Sequence, residues 1–339
     1  MPDGLWAEPY GVVFSGGGAL GAWEVGCYRS LLSRFGGRAP AVVTGASAGA
    51  INAVGVAAQM QPPQLAELWA GLTNEDVYRL KIGLGDYVRF GFSAVRRLSV
   101  SEAVKRFVTS ETSIYDTSPL QRTLLRILAG YFQSFAQSPT TAVLSLTNLT
   151  RGSKEFFFKL PNGGSVPANA QKGALWTRMD SLDLVVQALM GSTALPILFP
   201  PFAGTFFDGG VLMNQPITPA LALGEPQGVY SYFVVIPSSN RLGAVGNIAQ
   251  IGGTLASTWL SLSLVGQIEN IKLRNFIRRS SGKPAFRICV IRPPRDITEN
   301  LGVDLLSFGK NVNAMVSDGE QSCSDRLARF DPANDDTWY

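Results

Sequence analysis

The sequence predicts an α/β fold built on parallel strands, and three observations carry that expectation. Twice within the first sixty residues a short apolar run meets a glycine-rich turn and then a stretch with helical apolar spacing, the pattern of consecutive βα units. Further apolar runs at Tyr230 to Ile236 and Phe286 to Ile291 add strands late in the chain. With 339 residues, 46% of them hydrophobic, and 36 glycines, the chain is long enough to bury a sizeable core in one large domain or a domain with an appendage.

The elements follow in order. Tyr10-Gly11-Val12-Val13-Phe14 reads as the first strand and Ala19 to Phe35 as the first helix, with Trp23, Cys27, Leu31 and Tyr28 on its inner face and Gly36-Gly37 as its stop. Ala41 to Thr44 is a second strand, and Ser47 or Ala48 opens a second helix that runs to about Met60 and is stopped by Pro62-Pro63. A helical pattern resumes at Leu65 to Trp69. Residues 79 to 137 read as mostly helical, with Arg89, Arg96, Arg97, Lys105 and Arg106 on the polar side and a break at Ser118-Pro119; this segment is positioned to cap the mouth of a site. Val143 to Thr147 and Glu155 to Lys159 are strands around the turn 150–153, Ser181 to Met190 is a helix, and Asp304 to Phe330 is a mostly helical end. There is no internal repeat and no long linker.

Composition excludes several classes of function. Cys27, Cys289 and Cys323 are odd in number and widely spaced, which fits neither a disulfide framework nor a zinc site. The chain contains no histidine, so metal chemistry lacks its commonest ligand and no metal or other cofactor is expected. The start, Met1-Pro2-Asp3-Gly4, has neither a basic nor an apolar leader region, so a cytoplasmic location is the expectation. Residues 242 to 268 carry no charge, yet their glycines, serines and threonines make a buried or lipid-touching helix a better reading than a membrane span. Residues 270 to 295 hold Lys272, Arg274, Arg278, Arg279, Lys283, Arg287, Arg292 and Arg295 without one acid, whereas the tail carries Asp331, Asp335 and Asp336. The basic run reads as a solvated helix face followed by a strand; its charge also suits anionic headgroups, and no nucleic-acid motif accompanies it.

Three motifs carry the chemistry. Gly45-Ala46-Ser47-Ala48-Gly49 follows a β-branched strand and opens a helix, the context in which G-x-S-x-G presents a nucleophile where backbone N–H groups and the helix dipole favour negative charge. Gly16-Gly17-Gly18-Ala19-Leu20-Gly21 also fits a dinucleotide-binding turn, but between Glu24 and Glu67 the chain has no acid to bind a ribose. What remains is a loop whose N–H groups can hold an oxyanion. Asp208-Gly209-Gly210 reads equally as a turn or as a base, but its apolar flanks require partners for an ionised carboxylate. A serine hydroxyl needs an adjacent base, and here that base cannot be imidazole.

Taken in chain order, as glycine loop, serine elbow and Asp-Gly-Gly, the three motifs resemble the patatin-like phospholipase family, and the resemblance extends through Gly191-Ser192-Thr193-Ala194-Leu195-Pro196 to Pro200-Pro201 and from Asp208 to Pro216, covering about residues 8 to 290. It implies a three-layer α/β/α fold with a mostly parallel central sheet and a helical cap at 79–137, a catalytic domain over 1–290 and a C-terminal helical extension with an acidic tail over 291–339. It further implies a Ser-Asp dyad in which Ser47 is the nucleophile and Asp208 the base. The oxyanion hole would draw on Gly16, Gly17, Gly18, Ala19 and Ala48, with Gly21, Gly45, Gly49, Gly209 and Gly210 as motif glycines. Leu20 stands where the family often has Arg or Lys. The implied substrate is an acyl lipid met at a membrane or lipid aggregate, cleaved through an acyl-enzyme. An acyltransferase using the same serine and a non-catalytic lipid-binding protein of the same fold are the alternatives, while hydrolases that need a Ser-His pair are excluded.

Overall fold

The two opening βα units form as their hydrophobic patterns require. In a computed structural model describing residues 5–81, 112–168, 170–239, 248–330 and 337–338, strand β1 (Tyr10–Phe14) leads through a 3-10 turn at Gly18–Leu20 into helix α1 (Gly21–Arg34). Strand β2 (Val42–Gly45) leads into α2 (Ala48–Ala57). That helix ends before Met60, and Pro62-Pro63 does not stop it but opens α3 (Pro62–Gly71), because proline at the first helical positions gives up an N–H that has no partner there. The short helix α4 (Asn74–Val77) precedes β3 (Arg79–Leu80), which pairs antiparallel with β4 (Tyr115–Asp116).

Of the segment expected to be a helical cap, residues 82–111, including Arg89, Arg96, Arg97, Lys105 and Arg106, lie outside the described residues. Ser118-Pro119 begins helix α5 (Ser118–Ala129) rather than breaking one, again with proline in the first turn. Then come α6 (Phe132–Gln137), β5 (Thr141–Asn148), β6 (Ser153–Lys159), β7 (Leu175–Arg178), α7 (Leu182–Ser192), β8 (Phe206–Asp208), α8 (Gly210–Met213) and α9 (Ile217–Gly224). The chain continues with β9 (Ser231–Val235), the long α10 (Ile248–Ser280), β10 (Arg287–Ile291), α11 (Ile297–Leu301), α12 (Val312–Ala328) and β11 (Thr337–Trp338). No helix among the described residues is long and apolar enough to cross a membrane.

The central sheet has the order β11-β10-β9-β1-β2-β5-β6-β7, with β8 also on β5. Its pairings from β11 through β5 are parallel, whereas β5–β6 and β5–β8 are antiparallel. Alternation along each strand feeds two cores, as a sheet covered on both faces demands. Val12, Phe14, Phe233, Cys289 and Ile291 pack with α1, α2 and α12 residues such as Trp23, Ala50 and Met315. Val13, Val234, Ile288 and Val290 point to the other layer, where Leu221 of α9 and Leu264, Ile268 and Ile271 of α10 meet them. The result is the three-layer α/β/α fold.

Helix α1 is buried on more than its sheet-facing side. Trp23 and Cys27 are buried, and α12 covers the outer side: Trp23 Nε1 donates to Asp318 at 2.8 Å and Ser30 pairs with Ser324 at 2.9 Å. The three cysteines are buried thiols that form no disulfide with one another.

Candidate active site

The register of β5 brings the distant motifs together. Strand β2 runs beside β5 and ends with Gly45 opposite Leu144. Strand β8 runs the other way and ends with Asp208 opposite Leu146. Because β6 takes the opposite edge of β5 along residues 142–148, β8 continues the edge that β2 leaves. The ends of β2 and β8 therefore face one another, about 7 Å apart along β5, and Ser47 and Asp208 emerge at that junction.

Ser47 occupies the elbow between β2 and α2 with φ 54° and ψ −126°, a conformation rare for a residue with a Cβ, costing about 1–3 kcal/mol. The surroundings hold it there. A Cβ on Gly45 would lie 2.1 Å from Gly49 O, and one on Gly49 would lie 2.5 Å from the carbonyl oxygens of Phe14 and Ser15, so only glycine lets the elbow pack against the end of β1. The Ser47 N–H donates to Ser192 Oγ at 3.0 Å, and that hydroxyl donates to Ser145 O on β5 at 2.8 Å. The Ser47 side chain is left half-buried at the N-terminus of α2.

The glycine loop after β1 lies against this elbow, since a Cβ on Gly16 would be 3.0 Å from Ser47 Cβ. Its N–H groups divide into two sets. The Gly16 N–H donates to Asn214 Oδ1 at 2.9 Å, and the Ala19 N–H donates to Leu305 O at 2.9 Å. The N–H groups of Gly17, Gly18 and Ala48 meet no acceptor among the described residues. Behind the loop, the fully buried Glu24 accepts the Ser15 N–H at 3.0 Å and Asn52 Nδ2 at 2.8 Å, while Asn52 Nδ2 also donates to Gly21 O and its Oδ1 accepts from Trp69 Nε1. Burial pushes the Glu24 carboxyl well above the usual carboxylate range.

Asp208 is 3% exposed. Its backbone is fixed by hydrogen bonds from Asp208 N–H to Ala194 O at 2.9 Å and from Gly209 N–H to Ser192 O at 3.2 Å. Its Oδ1 accepts the Gly210 N–H at 2.7 Å, while Oδ2 is buried with no hydrogen-bond partner among the described residues. Burial raises its pKa to about 6, against the lowering influence of the nearby Ser47 hydroxyl and the Gly210 N–H. The Ser47 hydroxyl thus steadies the carboxylate, while no hydrogen bond of ordinary geometry from the described residues reaches Oδ2. A buried carboxylate with one oxygen unsatisfied, beside a strained serine, can accept that serine's proton.

Ser47 and Asp208 meet at this junction, and Gly45, Gly49, Gly209 and Gly210 shape its backbone; of the five residues expected to form an oxyanion hole, Gly16 and Ala19 have their N–H groups engaged by Asn214 and Leu305, whereas those of Gly17, Gly18 and Ala48 meet no acceptor among the described residues, and Gly21 packs on Trp69 behind the loop. Four supporting residues were not singled out: Ser192, Asn214, Glu24 and Leu305. Ser192 and Asn214 sit inside the motif-flanking stretches, and Glu24 is a lone acid in the first turns of an apolar helix; both were readable signals. Leu305 lies in a loop and contributes a carbonyl, for which no sequence signal exists. Among the described residues no group of three or more His, Cys, Asp or Glu could hold a metal ion.

The sequence profile of the family described as patatin-like phospholipase matches residues 12–221. No curated protein matches the chain. Among solved structures, the crystal structure of VipD from Legionella pneumophila is similar at 15% identity and a TM-score of 0.39, covering 95% of this chain and 67% of that one. The crystal structure of the type III effector protein ExoU matches at 12% identity and a TM-score of 0.37, covering 95% of this chain and 53% of that one. The ExoU–SpcU complex from the type III secretion system of Pseudomonas aeruginosa matches at 13% identity and a TM-score of 0.33, with 95% and 52% covered. The chain thus spans about half the length of the ExoU chains it matches.

Proposed function

Because the chain belongs to the patatin-like phospholipase family, we propose that it is a serine lipid acyl hydrolase that cleaves fatty-acyl esters of phospholipids or lysophospholipids through a Ser47–Asp208 dyad. The observation that carries this reading is the meeting of β2 and β8 on one edge of β5, which sets a strained serine beside a buried carboxylate in a chain that has no histidine. Ser47 Oγ attacks the ester carbonyl carbon while its proton passes to Asp208 Oδ2. The carbonyl oxygen becomes an oxyanion, which the N–H groups of Gly17, Gly18 and Ala48 are free to receive. Collapse of this intermediate expels the alcohol, which takes the proton from Asp208. Water, deprotonated by the same carboxylate, then attacks the acyl carbon; the bond to Ser47 Oγ breaks, the serine takes the proton back from Asp208, and the fatty acid leaves.

Asn214 and Leu305 have supporting roles, because each accepts one N–H of the loop and so fixes the plane in which the remaining donors point. Residues 1–290 would form the catalytic unit, with 79–137 near its mouth and 291–339 as a C-terminal extension. In support of the middle assignment, the Ile114 and Tyr115 N–H groups donate to the carbonyls of Ile197 and Leu198 in the loop ahead of Asp208. The test is fatty-acid release from mixed phospholipid vesicles and from a soluble p-nitrophenyl ester. Wild type is expected to release product from both; Ser47→Ala and Asp208→Asn are each expected to lose at least ~10³-fold in kcat. Full activity in either variant would rule out the dyad.

A further inference from the structure

The basic run after residue 270 does not form the polar face that its sequence suggests. Helix α10 buries Leu264, Ile268, Ile271 and Asn275 against the sheet, which turns Val265, Leu273, Phe276 and Ile277 outward at helical spacing. These side chains are 46%, 60%, 71% and 55% exposed. Leu273, Phe276 and Ile277 share one turn, and Val265 lies about two turns earlier with the exposed Glu269–Lys272 ion pair between them. Around it lie the exposed Lys272, Arg279 and Lys283. The nearest acid on the helix, Glu269, is paired with Lys272 at 2.8 Å. By contrast, Arg278 turns inward, stacked 4.2 Å from the Phe286 ring and bonded to Glu225 at 2.5 Å, so it belongs to the fold and not to the surface.

An exposed aromatic and two branched aliphatic side chains rimmed by cations, on a helix lying along the side of a domain, have the chemistry of an interfacial helix. We propose that the outer face of α10 docks on an anionic lipid bilayer, with Leu273, Phe276 and Ile277 entering the headgroup boundary and Lys272, Arg279 and Lys283 meeting lipid phosphates and carboxylates. Charge favours this occupant over a second copy of the chain, because a two-fold contact through this patch sets its cations against their own copies. The helix also connects the patch to the site. Gln267, on the side of the helix opposite Val265, donates to Gln215 O at 2.8 Å and accepts the Thr218 N–H at 3.3 Å, just downstream of Asp208-Gly209-Gly210. The helix thus carries the exposed residues on its outer side and a contact to the segment that follows the aspartate motif on its inner side. The inference rests on the acyl-lipid reading for its choice of partner, not for its test.

That test is vesicle co-sedimentation of the full chain carrying Ser47→Ala, so that no lipid is consumed, with phosphatidylcholine vesicles made with and without phosphatidylserine. Binding is expected to be stronger to the anionic vesicles and to weaken with salt. The triple variant Leu273→Ser, Phe276→Ser, Ile277→Ser is expected to lose binding to both vesicle types by about tenfold or more. The triple variant Lys272→Gln, Arg279→Gln, Lys283→Gln is expected to lose binding selectively on anionic vesicles, roughly fivefold per charge and on the order of a hundredfold in all. With Ser47 restored, both variants should hydrolyse a soluble short-chain ester at the wild-type rate, which separates loss of docking from loss of the site or of the fold. Vesicle binding that is absent in the parent or unchanged in the serine variant would overturn the proposal. So would light scattering that shows a dimer converted to monomer by Phe276→Ser, which would assign the face to a second copy.

Discussion

Asp208 carries the tension between stability and chemistry at the scale of single residues. Its pKa is raised by burial from 3.8 to about 6, so between those values the folded protein holds a proton that the unfolded chain has released. Stability therefore falls as pH rises across that window, and above it the full penalty of about 3 kcal/mol remains. Replacing the carboxylate by a neutral amide removes the penalty. Asp208→Asn is expected to unfold at higher temperature than wild type at pH 8, with the difference vanishing below about pH 4; thermal unfolding followed by circular dichroism across pH measures it. Activity moves the other way, because only the ionised carboxylate accepts a proton. The acid limb of kcat for a soluble ester is expected to have an apparent pKa near 6. Ser47 and Asp208 were both legible in the sequence because each sits in a glycine pattern whose purpose is backbone shape. The free Oδ2 and the division of loop N–H groups into engaged and open sets were not legible, since they depend on partners as remote as Asn214 and Leu305.

Between elements, the loop after β1 is held by side chains from two helices and a motif tail. Asn214 follows α8 and accepts the Gly16 N–H, so Asn214→Ala leaves that donor without its partner at a cost of about 1–3 kcal/mol and lets the loop turn away from the elbow. We expect kcat to fall roughly 10- to 100-fold with little change in KM, and steady-state kinetics on a soluble ester separate the two. Deeper in, Glu24 ties the end of β1 to α2 through Asn52. Glu24→Ala strands the Ser15 N–H and the Asn52 amide in a dry interior and is expected to cost about 2–4 kcal/mol, whereas Glu24→Gln retains an acceptor and costs less; denaturant unfolding of the two variants measures the difference. Strands and helices with local periodicity were legible to within a few residues. Strand β8 was not, because its three residues gain their conformation from pairing with β5, some sixty positions earlier.

Across the whole molecule, the C-terminal helix serves as an outer wall of the first βα unit. It approaches α1 closely enough that a Cβ on Gly26 would lie 2.0 Å from Val316 O and one on Gly319 would lie 2.0 Å from Trp23 O. Backbone cannot retreat from such contacts as a flexible side chain can. Gly319→Val is therefore expected to destabilise the protein by about 3 kcal/mol or more, and deletion of residues 312–339 to leave Trp23 and Cys27 uncovered and the chain insoluble; thermal unfolding and soluble yield report the two effects. The sequence showed a helical end at 304–330, since its periodicity is local. It did not show that this end covers α1, because the glycines at the contact are uninformative until both helices are placed. The same limit applies to α10, whose basic run was visible while its outward aliphatic and aromatic stripe emerged only when the sheet determined which face was buried.

The central claim, that Ser47 is activated by Asp208, is tested most directly by the rate of covalent labelling with an alkyl fluorophosphonate, with the adduct mapped by peptide mass spectrometry. The expected result is a single adduct on Ser47, forming at a rate that rises with pH through about 6 and nearly lost in Asp208→Asn, although that variant remains folded. An adduct on another residue, or labelling of Ser47 at an undiminished rate in Asp208→Asn, would contradict it.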